Sequence, residues 1–206
     1  MSQRISNLYR LVTVPAVYKG LMAALGAERA KARLVAELYR VVPGSKVLDV
    51  GCGPASLFPH LPAVDYTGMD LNPQHIRYAN EAYGDRARFL VGDASRQLQE
   101  EEGTFDLVIV SALLHHLDDE RAREMLERLC RLLKQGGRMV TFDNVWLDRQ
   151  NPIARSLNRL DSGLNVRREA GYRQLAAGLP VTVEGRVYRD LLRVPYDHFS
   201  MTLTKA

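Results

Sequence analysis

Lys46-Val47-Leu48-Asp49-Val50-Gly51-Cys52-Gly53-Pro54 is the stretch that decides the fold. Five residues rich in branched apolar side chains form a buried strand, and a two-glycine bend cuts it off at once. Glycine has no Cβ, so a ligand can come close to such a bend. Pro54 is favoured in the first turn of a helix, so a helix is expected to start there with its free N–H groups facing the ligand. Further along the chain the pattern repeats. Asp65–Asp70 reads as a second strand, and Asn72-Pro73 as the cap and first turn of a helix running to about Tyr83. Ala87–Val91 and Phe105–Val110 read as the third and fourth strands, the fourth apolar enough to be covered on both faces. Asp118 opens a long amphipathic helix, with Ala122, Met125, Leu126, Leu129, Leu132 and Leu133 at helical spacing, and Gly136-Gly137 is expected to stop it. Arg138–Phe142 is the fifth strand.

Five alternations of strand and helix predict an α/β architecture with a doubly wound, mostly parallel sheet. Right-handed crossovers then align the strand C-termini along one edge, and ligands bind outside that edge where the strand order reverses. The tail breaks the rhythm. A helical stretch near Arg168–Gly178 precedes Val181–Arg189 and His198–Lys205, which predict a C-terminal antiparallel strand pair. The first forty residues read as two helices interrupted at Pro15. The chain accordingly divides into an N-terminal helical lid segment, 1–40, and a main domain, 41–206.

The composition agrees with a soluble domain. Of 206 residues, 46% are apolar and 25% charged, and apolar runs of about six residues fall far short of the ~20 that span a bilayer. Met1-Ser2-Gln3-Arg4 lacks the apolar core of a secretory signal, so a cytoplasmic location with no membrane association is expected. Two cysteines, Cys52 and Cys130, make neither a disulfide framework nor a four-ligand zinc site, and no metal is expected. The net charge of +4 is uneven: residues 1–40 carry +5, residues 41–144 carry −5 and residues 145–206 carry +4. No basic cluster with interleaved aromatics marks a nucleic-acid groove.

Three acids follow three successive strands. Asp49 precedes the glycine bend, Asp70 ends the second strand at the distance where an acid accepts hydrogen bonds from ribose hydroxyls, and Asp93 follows the third strand, placed to reach an adenine amino group. With the bend they describe a pocket for an adenosine carrying positive charge. A pyrophosphate site would want a third glycine where Ser56 stands, and no Gly-Lys-Ser/Thr is present.

These residues resemble the class I S-adenosylmethionine-dependent methyltransferases, a Rossmann-like family. Val47–Ser56 is similar to the family's first motif, Asp70 to its ribose-binding acid, Asp93-Ala94 to its adenine-contacting motif, and Phe105-Asp106-Leu107-Val108 to its fourth strand. Leu132-Leu133-Lys134-Gln135-Gly136-Gly137 is similar to its turn into strand five. The similarity covers about residues 44–144 and is nearest to small-molecule enzymes of the ubiquinone-biosynthesis type, which carry a comparable Leu-His-His run. The resemblance implies S-adenosylmethionine as cofactor. Gly51 and Gly53 would line its methionyl part, Asp49 would orient the bend or the amino group, and Asp70 would bind the ribose. Leu71 would pack beside the adenine, Asp93-Ala94 would contact that ring, and Ser111 would lie next to the methyl donor. It also implies methyl transfer by direct displacement to a small-molecule acceptor, in a monomer or homodimer.

Beyond the cofactor, His115 and His116 are candidate general bases, because histidine titrates near neutral pH. Tyr9 and Tyr18 are candidate lid residues over the acceptor. The arginine-rich tail, with Arg149, Arg155 and Arg159 on one helical face and Arg167 and Arg168 after them, suggests an anionic acceptor held chiefly by Arg155 and Arg167. Two other readings stay open: a non-catalytic cofactor-binding regulatory subunit, and a nucleic-acid or protein methyltransferase.

Overall fold

The computed structural model describes residues 26–98, 101–161 and 163–206. Tyr9 and Tyr18, and with them most of the expected lid, lie outside these residues. The described chain begins with helix α1 (Ala27–Leu34), which runs on as a π-helical turn, Val35–Tyr39. There follow β1 (Lys46–Val50), β2 (Asp65–Asp70), α2 (Pro73–Tyr83), β3 (Arg88–Val91) and the short α3 (Ala94–Gln97). Next come β4 (Phe105–Ser111), α4 (Asp119–Leu132), β5 (Leu133–Asn144), α5 (Pro152–Leu160), α6 (Glu169–Leu175), β6 (Val181–Tyr188) and β7 (His198–Lys205).

One seven-stranded sheet runs β3-β2-β1-β4-β5-β7-β6. Strands β1 to β5 pair in parallel, and β7 lies antiparallel between β5 and β6. The expected C-terminal pair is therefore present, with its second strand turned inward. Strand order reverses between β1 and β4, which puts the switch-point crevice at the C-terminal ends of those two strands.

Alternation along β1 and β4 assigns the two cores. Leu48, Val50, Val108 and Val110 face the layer of α4 and α6, while Val47, Leu107 and Ile109 face α1 and α2. Helix α4 buries Ala122, Met125, Leu126, Leu129, Cys130 and Leu132 along one stripe. Its start is set by Asp118, whose side chain accepts from the Arg121 N–H at 2.9 Å. Asn72 caps α2 in the same way, accepting from the Gln74 N–H at 2.9 Å. Ala30, Leu34, Leu38 and Tyr39 are buried in the same cluster as Val47 and Tyr66, so residues 27–39 share the core of the main domain across the expected boundary at residue 40.

Two elements differ from expectation. No α-helix starts at Pro54. Turns occupy residues 53–57 and a single 3₁₀ turn covers Phe58–His60. Only residues 51–64 separate β1 from β2, and they hold Pro59 and Pro62 as well as Pro54. A proline inside a helix removes a hydrogen bond and clashes with the preceding turn, so this crossover stays irregular. Helix α4 also ends at Leu132, earlier than the Gly136-Gly137 stop, because β5 already pairs Leu133 with Phe105.

Candidate functional site

The bend after β1 is held from β2. The Gly51 and Cys52 N–H groups both donate to the Met69 carbonyl, at 2.8 and 3.0 Å. The Gly53 N–H donates to Asp70 Oδ2 at 2.9 Å, and the Asn72 N–H to Asp70 Oδ1 at 2.8 Å. Asp70 therefore bridges the bend and the turn after β2, and His75 Nδ1 stands 3.3 Å from it. The absent helix alters the role of the bend: the Gly53 donor is spent inside the protein, so the bend contributes space. Gly51 and Gly53 have φ of 74° and 55°, which other residues adopt at a cost, and a Cβ built on Gly53 would meet nothing within 4 Å. A Cβ on Gly51 would touch Leu113 at 3.4 Å, which shows the β1 and β4 loops closing on each other at the switch point.

Asp49 lies beneath the bend, 3% exposed, and accepts the Tyr66 hydroxyl at 2.7 Å. Burial pushes its carboxyl up to about 6; the Tyr66 hydrogen bond opposes this, and the negative charge of Asp70 adds to it. Two carboxylates near each other below an open glycine bend favour a cation. The residues thus fit a nucleoside bearing positive charge, with room at Gly53 and negative potential at Asp49 and Asp70. Leu71, next to Asp70, is 59% exposed, an apolar surface at the rim. Asp93 caps α3 by accepting the Ser95 N–H and hydroxyl at 3.0 and 2.7 Å, and Ala94 is buried in the core. Ser111 ends β4 half-buried. Burial holds the Cys52 thiol well above its ordinary range, as suits a filler residue and not a nucleophile.

The two histidines separate. His115 is buried, its Nδ1 2.7 Å from Asp143 Oδ1 and its Nε2 3.4 Å from Asp161 Oδ1. His116 is half-buried against it, ring centroids 4.2 Å apart. Burial and then the neighbouring His115 lower the His116 pKa, so it is neutral at pH 7. The Asp161 network continues outward. Asp161 Oδ2 accepts the Tyr196 hydroxyl at 3.1 Å, and Tyr196 in turn accepts Asn144 Nδ2 at 3.0 Å. Burial and the Asp161 charge raise the Tyr196 pKa, which keeps that hydroxyl a donor.

The arginines correct the sequence reading in part. Arg167 is not a fork offered to an acceptor. It is buried, donating from Nη1 to the Leu114 and Asn165 carbonyls at 2.9 and 3.0 Å, from Nη2 to Leu117 at 2.7 Å, and from Nε to Asp119 at 2.7 Å. It clasps the turn that carries both histidines. Arg155 and Arg159 are exposed one turn apart on α5, but Arg149 precedes that helix, and Arg168 pairs with Asp148. Asp143 and Asp161 are the site residues that sequence reasoning missed. They belong to segments far from His115 along the chain, and no spacing signals their meeting. Among the described residues, no group of three or more His, Cys, Asp or Glu is arranged to hold a metal ion, and no helix is long and apolar enough to cross a membrane.

Comparison with known proteins matches residues 47–137 to a family described as "Methyltransferase domain". The chain is 36% identical over 118 residues to a 2-methyl-6-phytyl-1,4-hydroquinone methyltransferase of Synechocystis sp., covering 54% of this chain and 36% of the relative. It is 29% identical over 153 residues to an uncharacterized methyltransferase of Geobacillus sp., covering 73% of this chain and 65% of the relative. The chain thus spans less than two thirds of the length of either relative. Among solved structures, a methyltransferase from Methanosarcina mazei described as SAM-dependent superposes with a TM-score of 0.68 at 19% identity, covering 83% of this chain and 96% of that one.

Proposed function

We propose that this chain is a class I S-adenosylmethionine-dependent methyltransferase that transfers a methyl group to a small-molecule acceptor by direct displacement, as the methyltransferase-domain match over residues 47–137 and the hydroquinone methyltransferase relative support. One observation carries the reading: Asp49 and Asp70 converge below an open Gly51–Gly53 bend at the switch point of a parallel sheet. S-adenosylmethionine, when bound, supplies an electrophilic methyl group on a sulfonium. The chain's own part is recognition, alignment and exclusion of water. Asp70 keeps acceptor capacity for ribose hydroxyls, since a carboxylate has about four lone-pair sites and the structure engages them only in part. Asp49 is held below the bend by Tyr66, its buried negative charge available to a cation. Leu71 offers an apolar surface to the adenine. Gly53, where a Cβ would meet nothing within 4 Å, leaves room for the methionyl portion. Alignment of acceptor and donor can supply ~7–11 kcal/mol of the barrier, so no covalent intermediate is required.

Where the acceptor is a protonated amine, His116 is the group suited to take its proton, being neutral at pH 7. His115 serves as a positioning residue beneath it. The small-molecule reading is supported by the hydroquinone methyltransferase relative. An anionic acceptor is supported only by Arg155 and Arg159, exposed on α5. Calorimetry with S-adenosylhomocysteine and NAD, followed by transfer of labelled methyl into a metabolite extract, tests the proposal. Binding of the former alone and a labelled product of low mass are expected. NAD binding, or label found only in protein or nucleic acid, would overturn it.

A further inference from the structure

We propose, resting on the methyltransferase reading for its role in turnover, that the cavity walled by Trp146, Leu164 and Val166 is the acceptor pocket, and that it takes a planar aromatic hydroxyl whose O–H is donated to Asp161. The cavity has a volume of about 350 Å³, with Asn158, Arg159 and Asp161 also in its lining. That is the low end of the range for small-ligand sites and suits a single substituted ring. It opens where the chain leaves β5, since Trp146 stands two residues past Asn144 and its N–H donates to the Arg167 carbonyl at 3.0 Å. This places it past the carboxyl end of β5, with β4 standing between that strand and β1 with its glycine bend.

The lining decides the ligand. Trp146, Leu164 and Val166 provide flat and apolar walls. Among the polar residues, Asn158 is already committed, donating to the Val145 carbonyl at 2.8 Å and accepting from Asn144 at 3.3 Å. Asp161 is the acceptor that remains. Its Oδ1 accepts the Gly163 N–H at 2.7 Å and faces His115 Nε2 at 3.4 Å, and its Oδ2 accepts the Tyr196 hydroxyl at 3.1 Å. Both oxygens are tethered, so the carboxylate does not swing, yet lone pairs remain for a ligand. Its side chain is 23% exposed against 5% for His115, so Asp161 is the member of this network that a ligand can reach.

The tether is built into the backbone. A Cβ at Gly163 would lie 2.1 Å from His115 Cδ2 and 2.8 Å from the His115 carbonyl. The Asn165 N–H donates to that same carbonyl at 2.9 Å. The turn after α5 is therefore pressed onto His115, and Asp143 holds the imidazole from below at 2.7 Å. A fixed carboxylate beside the apolar wall of Trp146, Leu164 and Val166 accepts a hydroxyl and leaves an ether oxygen facing it unpaired. That discriminates by more than tenfold in sites built around a substrate hydroxyl.

Trp146 is the single tryptophan of the chain, so its fluorescence reports occupancy directly. The probes are 4-methylphenol and its ether, 4-methylanisole, titrated into the full chain, with S-adenosylhomocysteine calorimetry on the same sample. Saturable quenching by the phenol at millimolar or lower concentration is expected, at least about tenfold tighter than the ether. Asp161→Ala is expected to abolish the preference, and Asp161→Asn to reduce it, with S-adenosylhomocysteine affinity unchanged as the check on folding. Equal binding of phenol and ether, no quenching by either, or a preference that survives Asp161→Ala would overturn the proposal. If S-adenosylhomocysteine binds while the phenol does not, the pocket assignment falls and the family function stands. If the phenol binds through Asp161 and S-adenosylhomocysteine does not bind, the pocket stands and the methyl-transfer reading falls.

Discussion

Replacing Asp49 with asparagine should stabilise the free protein while impairing it as a cofactor binder. Asp49 is 3% exposed, and its carboxyl is pushed up to about 6 against an ordinary value of 3.8. Each pKa unit corresponds to about 1.4 kcal/mol of differential interaction, so holding this group ionised in the folded chain costs about 3 kcal/mol. The sign follows from proton counting. Between about pH 4 and pH 6 the native state holds this proton after the unfolded chain has lost it, so stability falls as pH rises through that window and stays low above it. The amide introduced by Asp49→Asn carries no charge, and its oxygen can still accept the Tyr66 hydroxyl. The variant is therefore expected to gain about 1 to 3 kcal/mol over the parent at pH 8 and close to nothing at pH 4. Urea denaturation of both proteins at the two pH values measures the difference of differences, which cancels every other titrating group. In the same experiment, S-adenosylhomocysteine should stabilise the parent and stabilise the variant far less. A variant no more stable than the parent at pH 8, or one with the same pH dependence, would show that Asp49 is not a buried charge held for a cationic ligand.

Arg167→Ala strands the Leu114 and Leu117 carbonyls and should cost about 2 to 4 kcal/mol in thermal or chemical denaturation, with turnover falling and the acceptor KM little changed; a raised KM at unchanged stability would return Arg167 to the role of substrate clamp. With an amine acceptor His116→Asn should lower kcat by about 10² or more, whereas turnover of a hydroxyl held by Asp161 should be insensitive to it. Because the His116 pKa is lowered, the parent's kcat/KM should rise with pH only below the usual histidine range and stay flat from pH 7 to 8, and a profile still rising at pH 8 would exclude His116 as the base.

Much of this fold could be read from local patterns because local physics sets them. The five parallel strands, the caps at Asn72 and Asp118 and the stripe on α4 each follow from side-chain periodicity or a hydrogen bond within three residues. The expected helix at Pro54 does not form because the span 51–64 is short and carries Pro59 and Pro62 as well. The charge of Arg167 suits an anionic ligand, but its five donors make it equally apt for buried carbonyls, and only tertiary structure distinguishes the two uses. The Asp143–His115–Asp161 contact joins β5, the turn after β4 and the end of α5, and proximity of that kind leaves no trace in spacing.

The central claim is that Asp49, Asp70 and the glycine bend form a site for a sulfonium nucleoside. Isothermal titration of S-adenosylhomocysteine into the parent chain and into Asp70→Ala tests it most directly. The account predicts one-to-one binding to the parent and a loss of at least about tenfold in the variant, where the Gly53 N–H also loses its acceptor. Equal affinity of the two proteins, or no binding to the parent, would contradict it.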